Sequence, residues 1–217
     1  TRPQKQNVKL QKQLLEYLGE NGINVPVVSL PLIEIVPQVS PNHALTVQQA
    51  LQQTDWVSFV SPNAFLMTYQ LLKQYDLSWP THLKIAVVGG GTESSILDSG
   101  IEFQEIVKPN DASSWDSEGL WQSLEKAQAN WNGIKMVMIH GDGGRNFLAE
   151  KLALSGAVIQ ELSVYRRECL SIHDLAWQQI NPDEHSIWVF NSSQAADFLL
   201  QGLNQLAIAP GFLRNQM

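Results

Sequence analysis

The chain of 217 residues is predicted to be an α/β protein with mostly parallel sheets. Short apolar runs typical of buried strands alternate along the sequence with apolar residues at helical spacing. The predicted turns after strands are rich in glycine or serine, as at Ser61, Gly89 and Gly141. Because right-handed crossovers bring the carboxyl ends of parallel strands to one edge of a sheet, we expect the functional residues to lie at that edge.

Periodicity and breaking residues define the elements one by one. Apolar residues recur every three or four positions in each predicted helix, and glycines such as Gly100 and Gly156 end helices. Pro62 fits the first turn of its helix, where a missing N–H costs nothing. In chain order, we predict helix 5–19, strand 25–35, helix 45–53, strand 55–60, helix 64–75, strand 84–88, helix 92–99, strand 103–107, helix 116–129, strand 135–139, helix 145–154, strand 158–165, helix 175–180, strand 187–190 and helix 195–203.

This alternation predicts two domains, one inserted into the other. Residues 37–165 hold enough strands for a complete doubly wound domain, whereas residues 1–35 and 167–217 are each too small to bury a core alone. We therefore expect those end segments to join as one discontinuous α/β domain. Two chain crossings, Glu34–Pro37 and Val164–Glu168, would connect the domains and make a hinge with a cleft. Both chain ends look abrupt, and we expect elements to be missing there.

Composition excludes several classes of protein. An apolar content of 44% with 16% charged residues suits a packed core, and no apolar stretch is long enough for a membrane span. The single Cys169 excludes an internal disulfide and a cysteine metal cluster. A net charge of −7 without a basic stripe argues against a nucleic-acid partner. We expect a cytoplasmic protein that uses no metal, because metal-binding and serine-hydrolase motifs do not occur in the sequence.

A short phrase occurs twice, at 56–65 and at 187–196. When the copies are aligned, Phe59 matches Phe190 and Ser61 matches Ser192. Each copy is a strand-like run that ends in small hydroxyl residues and opens into a helical pattern. Free N–H groups at such a helix start can bind an anion. Two similar α/β units, each with an anion-binding edge, would explain the repeat, and chance similarity between two strand–helix junctions is the alternative.

Four strand ends are candidate anion-binding sites, and each also has an ordinary structural explanation. The first strand end, at 61–63, and the second, at 192–193, carry hydroxyl and amide residues that favour helix caps. In the third strand end, at 89–92, glycines allow close approach of a ligand and Thr92 can cap a helix. In the fourth, at 141–145, Arg145 lies in a first helical turn, where an anion partner would offset the unfavourable dipole. The candidate substrate-binding residues at these ends are Ser61, Asn63, Ser192, Ser193, Gly89, Thr92, Gly141 and Arg145.

Aromatic and histidine side chains also occur near these strand ends, and each has a structural as well as a functional explanation. Tyr165 ends the fifth strand of the inserted domain and could donate a proton or a hydrogen bond, or could simply pack. His140 follows a buried strand and is more typical of a structural residue than a catalytic one. The tryptophans are most simply core or rim residues; they include Trp56, Trp115, Trp121, Trp131, Trp177 and Trp188.

The ordered motifs resemble uroporphyrinogen-III synthases over nearly the whole chain. They are Thr1-Arg2-Pro3, D-W-V-S-F-V-S-P-N-A at 55–64, A-V-V-G-G-G-T at 86–92, the segment 141–152, V-Y-R at 164–166 and the strand–serine unit at 190–195. The resemblance implies two flavodoxin-like parallel-sheet domains joined by a two-stranded connector, with the substrate cleft between them. It adds Thr1 and Arg2 to the substrate-binding residues. His140 stands where the family often has arginine, which puts an arginine contact there in doubt.

The resemblance also implies a reaction. The family converts the linear tetrapyrrole hydroxymethylbilane into uroporphyrinogen III, with loss of water and inversion of the last pyrrole ring, and uses no cofactor. Tyr165 is the candidate proton donor, although a phenol is an inefficient general acid near neutrality and a purely orienting role is the alternative. The protein would be a monomer in transient contact with the preceding pathway enzyme. The rival interpretations are a non-enzymatic, hinge-closing binder of an anionic metabolite and a glycosyltransferase-like enzyme.

Overall fold

A computed structural model describes residues 4–143, 147–171, 177–178, 187–190 and 193–206. The chain divides into two compact units. Unit 1 consists of Thr1–Val36 and Arg167–Met217, and unit 2 is the continuous segment Pro37–Arg166. No helix within the described ranges is both long enough and apolar enough to cross a membrane.

A six-stranded sheet organises the described part of the chain, with strand order β1-β6-β5-β2-β3-β4. The pairs β2–β3, β2–β5, β3–β4 and β5–β6 are parallel, which confirms the prediction of a mostly parallel sheet. β1 runs antiparallel to β6, since Gln38 N–H donates to Val164 O and Leu170 N–H donates to Leu32 O. The strands are β1 Ile33–Pro37, β2 Trp56–Phe59, β3 Lys84–Val87, β4 Glu105–Val107, β5 Lys135–Gly141 and β6 Val158–Cys169.

Seven helices are described, and most connect consecutive strands. Ser40 and Ser61 cap two of them with their side chains, and Asp116 caps a third. The left-handed Gly100 ends another, where a side chain would be strained. The helices are α1 Gln4–Glu20, α2 Pro41–Gln52, α3 Pro62–Gln74, α4 Gly90–Ser99, α5 Ser117–Ala127, α6 Phe147–Leu154 and α7 Ser193–Gln205.

The core of unit 2 lies on both faces of the central strands. β2 is buried at all four positions because it lies between two parallel neighbours. Phe59 packs edge-on against Phe65 of α3, with ring centroids 5.4 Å apart, and Trp56 lies 5.5 Å from Trp131. These aromatic contacts hold β2 against α3 and against the loop that follows α5, and therefore fix the position of the residues that follow β2.

Unit 1 has its own small core. Leu30, Leu32, Leu199 and Leu203 surround Trp177 and are almost fully buried. Gly202 of α7 lies under the indole, because a Cβ at that position would be 2.0 Å from Trp177 Cη2. The missing side chain is what allows the tryptophan to approach α7.

Several element boundaries differ from the sequence prediction. The strand predicted over 25–35 is confined to Ile33–Pro37, since Pro26 and Pro31 cannot donate ladder hydrogen bonds and residues 25–32 form no regular element. Residues 187–190, predicted as a strand, also form no regular element, although Trp188 stacks on Phe190. The helix predicted over 175–180 lies outside the described residues except for a short 3₁₀ turn at 177–178.

Candidate functional site

The candidate site lies where the strand order of unit 2 reverses. From β2 the chain builds β3 and β4 to one side, then returns to place β5 and β6 on the other. β2 and β5 are therefore sequence-distant neighbours, and their carboxyl ends lead to Ser61 and Gly141. In open parallel sheets, ligands bind in the crevice outside such a reversal point. Residues that the sequence predicted at the carboxyl edge therefore lie at the reversal point, which is the part of that edge best suited to ligand binding.

Ser61 caps α3 at this point. Its backbone is extended, and the Ala64 N–H donates to Ser61 Oγ at 3.1 Å. Pro62 occupies the first helical position, and Asn63 is half-buried beside it. The cap uses one free donor of the helix start, and the positive end of the helix dipole remains directed at the crevice.

Tyr165 spans the reversal point. Its side chain is 1% exposed, and its hydroxyl oxygen lies 3.3 Å from Ser61 Oγ, a contact in which either group can donate. The ring passes over Gly141, where a Cβ would fall 2.2 Å from Tyr165 Cε2. A register shift between His140 and Gly141 aligns Gly141 with Tyr165 across the β5–β6 pair. The glycine therefore lets a side chain from β6 cross β5 and reach the end of β2.

Backbone and side-chain hydrogen bonds hold Tyr165 in this position. Its carbonyl accepts from Asp142 N–H at 2.8 Å and from Ser163 Oγ at 3.0 Å. Gln38 Nε2 donates to Ser163 Oγ and to Asp142 Oδ1, both at 3.2 Å. Sequence reasoning missed Gln38, and the available signal was its position at the end of a predicted chain crossing, directly after Pro37.

The third strand end is built from glycines. α4 begins at Gly90 with Gly89 as its cap residue, and no side chain caps it. Thr92 is 3% exposed and lies inside the helix, so the expectation that Thr92 caps α4 is wrong. A Cβ on Gly91 would lie 3.6 Å from Pro62 Cγ, which places the starts of α4 and α3 side by side.

His140 is held by its neighbours on the sheet. Its Nδ1 lies 2.8 Å from Gly141 O. Its Nε2 lies 3.3 Å from Glu161 Oε2, which is within ion-pair range but lacks hydrogen-bond geometry. Both contacts are made along β5 and β6, which agrees with the structural role expected of this residue.

Trp115 lies against the third strand end. A Cβ at Gly90 would be 3.0 Å from Trp115 Cη2, and one at Gly89 would be 3.5 Å from Cδ2. The residue is 49% exposed. Sequence reasoning grouped it with core or rim tryptophans, and only its position after a polar loop at the carboxyl edge separated it from the others.

The remaining predicted site residues are not part of this arrangement. Thr1, Arg2, Arg145 and Ser192 lie outside the described residues. Ser193 is the exposed first residue of α7 and belongs to unit 1. Of the predicted set, unit 2 brings Tyr165, Ser61, Asn63, Gly89, Thr92 and Gly141 to one edge of its sheet.

This arrangement suits a polyanionic ligand. Two adjacent helix starts, those of α3 and α4, direct N–H groups and positive dipole ends toward the same edge. Such donors bind carboxylates without any net positive charge on the protein. Within the described ranges, no three histidine, cysteine, aspartate or glutamate side chains are grouped so that they could hold a metal ion.

The family model and the curated relative that match this chain describe the same kind of enzyme. The family model described as "HEM4: Uroporphyrinogen-III synthase HemD" matches residues 12–215. A curated relative, uroporphyrinogen-III synthase of Proteus mirabilis, is 24% identical over 172 residues, which are 77% of this chain and 78% of the relative.

Two solved structures share the fold at low identity. A mutant uroporphyrinogen III synthase from Thermus thermophilus has a TM-score of 0.52 at 14% identity, over 73% of this chain and 60% of that one. The Helicobacter pylori uroporphyrinogen-III synthetase also has a TM-score of 0.52, at 16% identity, over 82% of this chain and 73% of that one. The chain thus spans about three fifths of the length of the first of these proteins. Both likenesses are to α/β proteins and support the fold.

Proposed function

The chain belongs to the uroporphyrinogen-III synthase family, and we propose from this that it cyclises hydroxymethylbilane to uroporphyrinogen III. The family match over residues 12–215 is the observation that carries the proposal. The geometry of unit 2 supports it, because a tetrapyrrole rich in carboxylates suits an edge lined by helix starts and glycine backbone.

The proposed chemistry needs one proton and strict positioning. The C–O bond of the substrate's hydroxymethyl group breaks as a pyrrole nitrogen supplies electron density, leaving an electrophilic azafulvene. A proton from the protein converts the departing hydroxide into water. When the macrocycle closes, the azafulvene carbon bonds to the substituted α-carbon of the last pyrrole ring, and the bond from that α-carbon to its original bridging carbon breaks. The released bridging carbon then bonds to the free α-carbon of the same ring, which loses its proton, so that the ring is inverted and the net change is loss of water. Holding the two ends of the bilane in the geometry for closure can supply much of the rate enhancement over the uncatalysed reaction.

We assign the proton to Tyr165, with Ser61 as its partner. The phenol is buried and the Ser61 hydroxyl, 3.3 Å away, is the half-buried member of the pair. Ser61 Oγ accepts from Ala64 N–H with one lone pair and can accept from the phenol with the other, which leaves its O–H to donate to a bound group. A proton can therefore move from the phenol through the serine hydroxyl to a group bound at the α3 start.

We propose that Ser61, Asn63, Gly89, Thr92 and Gly141 bind or shape the substrate site. Arg145, Thr1, Arg2, Ser192 and Ser193 remain proposed substrate-binding residues from sequence. Thr92, which is buried inside α4, would act by packing the helix start and not by direct contact.

The cellular setting is also proposed. We place the protein in the cytoplasm as a monomer that uses no cofactor. The bilane closes spontaneously to the wrong isomer, so brief contact with the preceding pathway enzyme would be favourable. Light scattering coupled to size exclusion tests whether the protein is a monomer, and sedimentation velocity of a mixture with the preceding pathway enzyme tests whether the two proteins associate.

The decisive experiment supplies the full protein with hydroxymethylbilane generated enzymatically in the same tube. Type I and type III porphyrins are then separated after oxidation, with a reaction lacking the protein as the measure of spontaneous closure. We expect mainly type III with the protein and type I without it, both in the presence of a chelator. Type I alone in both tubes would contradict the proposal, and binding of product without isomer control would indicate a non-enzymatic binder.

A further inference from the structure

Trp115 is an exposed aromatic side chain held in one place by its contacts. One part of the indole lies against the backbone of Gly89 and Gly90, while the residue as a whole is 49% exposed. Exposed apolar surface contributes nothing to folding until something covers it. The position of this surface at the carboxyl edge, beside the α4 start, makes a ligand the natural partner.

The backbone of Trp115 is fixed by a tight turn. Its φ of −75° and ψ of 67° are those of an inverse γ-turn, and Asp116 N–H donates to Ser114 O at 2.8 Å. Gly119 packs so closely against this turn that a Cβ there would lie 2.1 Å from Ser114 O. The indole is therefore presented from a rigid support and loses little freedom when a ligand covers it.

An ion pair on the face of α4 that carries Gly90 supplies a cation for a flat ligand ring that carries carboxylates. Lys108 forms an ion pair with Glu93, which lies three residues after Gly90 and so on the same face of α4. The ammonium keeps further N–H donors beyond this pair. The nearby carboxylates of Asp111 and Asp116 accept from Ser113 N–H and Gly119 N–H, which partly neutralises them.

We propose that Trp115 is a positioning residue on which one pyrrole ring of the tetrapyrrole stacks, with Lys108 directing a carboxylate of that ring. This inference rests on the proposed synthase function and adds a specific contact to it. Pyrrole is electron-rich and flat, and offset stacking on indole is favourable for such a ring. The stack orients the ring beside the helix starts that bind its carboxylates.

The test compares Trp115→Leu and Trp115→Phe with the unchanged protein. Leucine keeps an apolar side chain on Gly89 and Gly90 but removes the aromatic face. We expect Trp115→Leu to raise KM about tenfold while kcat stays within about twofold, and Trp115→Phe to raise KM by less. Lys108→Ala should raise KM about threefold and weaken its salt dependence, whereas Lys73→Ala, in the last turn of α3 and so away from the carboxyl edge, should change neither.

Trp121→Leu is the matched control for loss of an indole. Trp121 packs on the core cluster of unit 2 from α5, so this change should lower thermal stability and leave KM unaltered. An unchanged KM in Trp115→Leu, in a preparation whose parent protein makes type III product, overturns the stacking contact and leaves the synthase proposal standing. Absence of type III product from the parent protein overturns both.

Oxidative footprinting of the unmodified protein gives a readout that needs no variant to fold. Trp115 should be oxidised readily in the free protein and protected at least about threefold by saturating uroporphyrin III, as measured by mass spectrometry of its peptide. Coproporphyrin III, which has fewer carboxylates, should protect it at a higher concentration. Equal oxidation with and without uroporphyrin III contradicts the inference.

Discussion

The ring of Tyr165 occupies the space that a side chain at Gly141 would need. A Cβ built on Gly141 would lie 2.2 Å from Tyr165 Cε2 and 2.4 Å from Cζ, far inside van der Waals contact. The two residues face each other across the β5–β6 pair. The absence of a side chain on one strand thus sets the position of a phenol from the next.

Gly141→Ala should displace Tyr165. The added methyl group must push away a ring that is 1% exposed, and overpacking of this kind costs about 1–3 kcal/mol. We expect a lower urea midpoint together with a loss of type III synthesis greater than the loss of folded protein. Gly19→Ala is the control, because nothing lies within 4 Å of a Cβ there and alanine favours the helix. Equal activity of Gly141→Ala and the parent would show that the ring position is unimportant.

Ser61→Ala should cost both stability and turnover, whereas Ser40→Ala should cost stability alone. The two serines are matched caps: each is followed by proline and accepts a backbone N–H at 3.1 Å. Loss of either cap should destabilise by about 1 kcal/mol. Of the two serines, Ser61 is the one that contacts the Tyr165 hydroxyl, so its loss alone should lower kcat, by about 10²-fold as expected for loss of the phenol. If both variants lose activity equally, the effect is one of helix capping.

Tyr165→Phe should lower turnover by about 10²-fold and leave the fold intact. The phenyl ring still fills the space over Gly141, so the denaturation midpoint should change little. Loss of proton assistance spares affinity for uroporphyrin III, while loss of positioning weakens affinity and rate together. Full single-turnover activity in this variant would remove Tyr165 from the mechanism.

The double variant Ser61→Ala with Tyr165→Phe tests whether the two hydroxyls act as one unit. If the proton passes from Tyr165 through Ser61, the double variant should be scarcely slower than Tyr165→Phe alone. Multiplicative losses in kcat would instead mean that the two side chains contribute separately. Rates are compared after normalising for folded protein by circular dichroism.

Cys169 should be a poor nucleophile in the native protein. Burial raises the pKa of the Cys169 thiol, which lowers the thiolate fraction at a given pH below that pKa. Its Sγ also donates to Phe198 O at 3.6 Å. At pH 8, alkylation by iodoacetamide should be roughly tenfold slower in the native protein than in urea. Equal rates would mean that the thiol is effectively in solvent.

Much of the architecture could be predicted because it depends on local patterns. The strands at β2, β3 and β5 are short apolar runs bounded by glycine or serine, and both signals are local. The candidate site was harder, because its contacts join distant positions. The crossing of Tyr165 over Gly141 depends on a register shift, and Gln38 reaches partners more than a hundred residues away. No local pattern carries that information.

Thr92 shows how a local rule can fail. A threonine after three glycines has the composition of a cap, but α4 begins two residues earlier and buries it. Glycine at a helix start needs no capping side chain when its backbone fits, so the side chain farther along is free to pack. The position of the helix start, and not the residue type, decided its role.

Gly202 has a practical consequence for engineering this chain. Glycine inside a helix usually invites replacement by alanine, a change worth roughly 1 kcal/mol of added stability. At Gly19 the replacement should stabilise the protein. At Gly202 it should destabilise the protein, because an alanine methyl group would collide with the indole of Trp177. A set of stabilising substitutions chosen from helix propensity alone would therefore raise the stability of unit 1 at Gly19 and lower it at Gly202, inside the core of that unit.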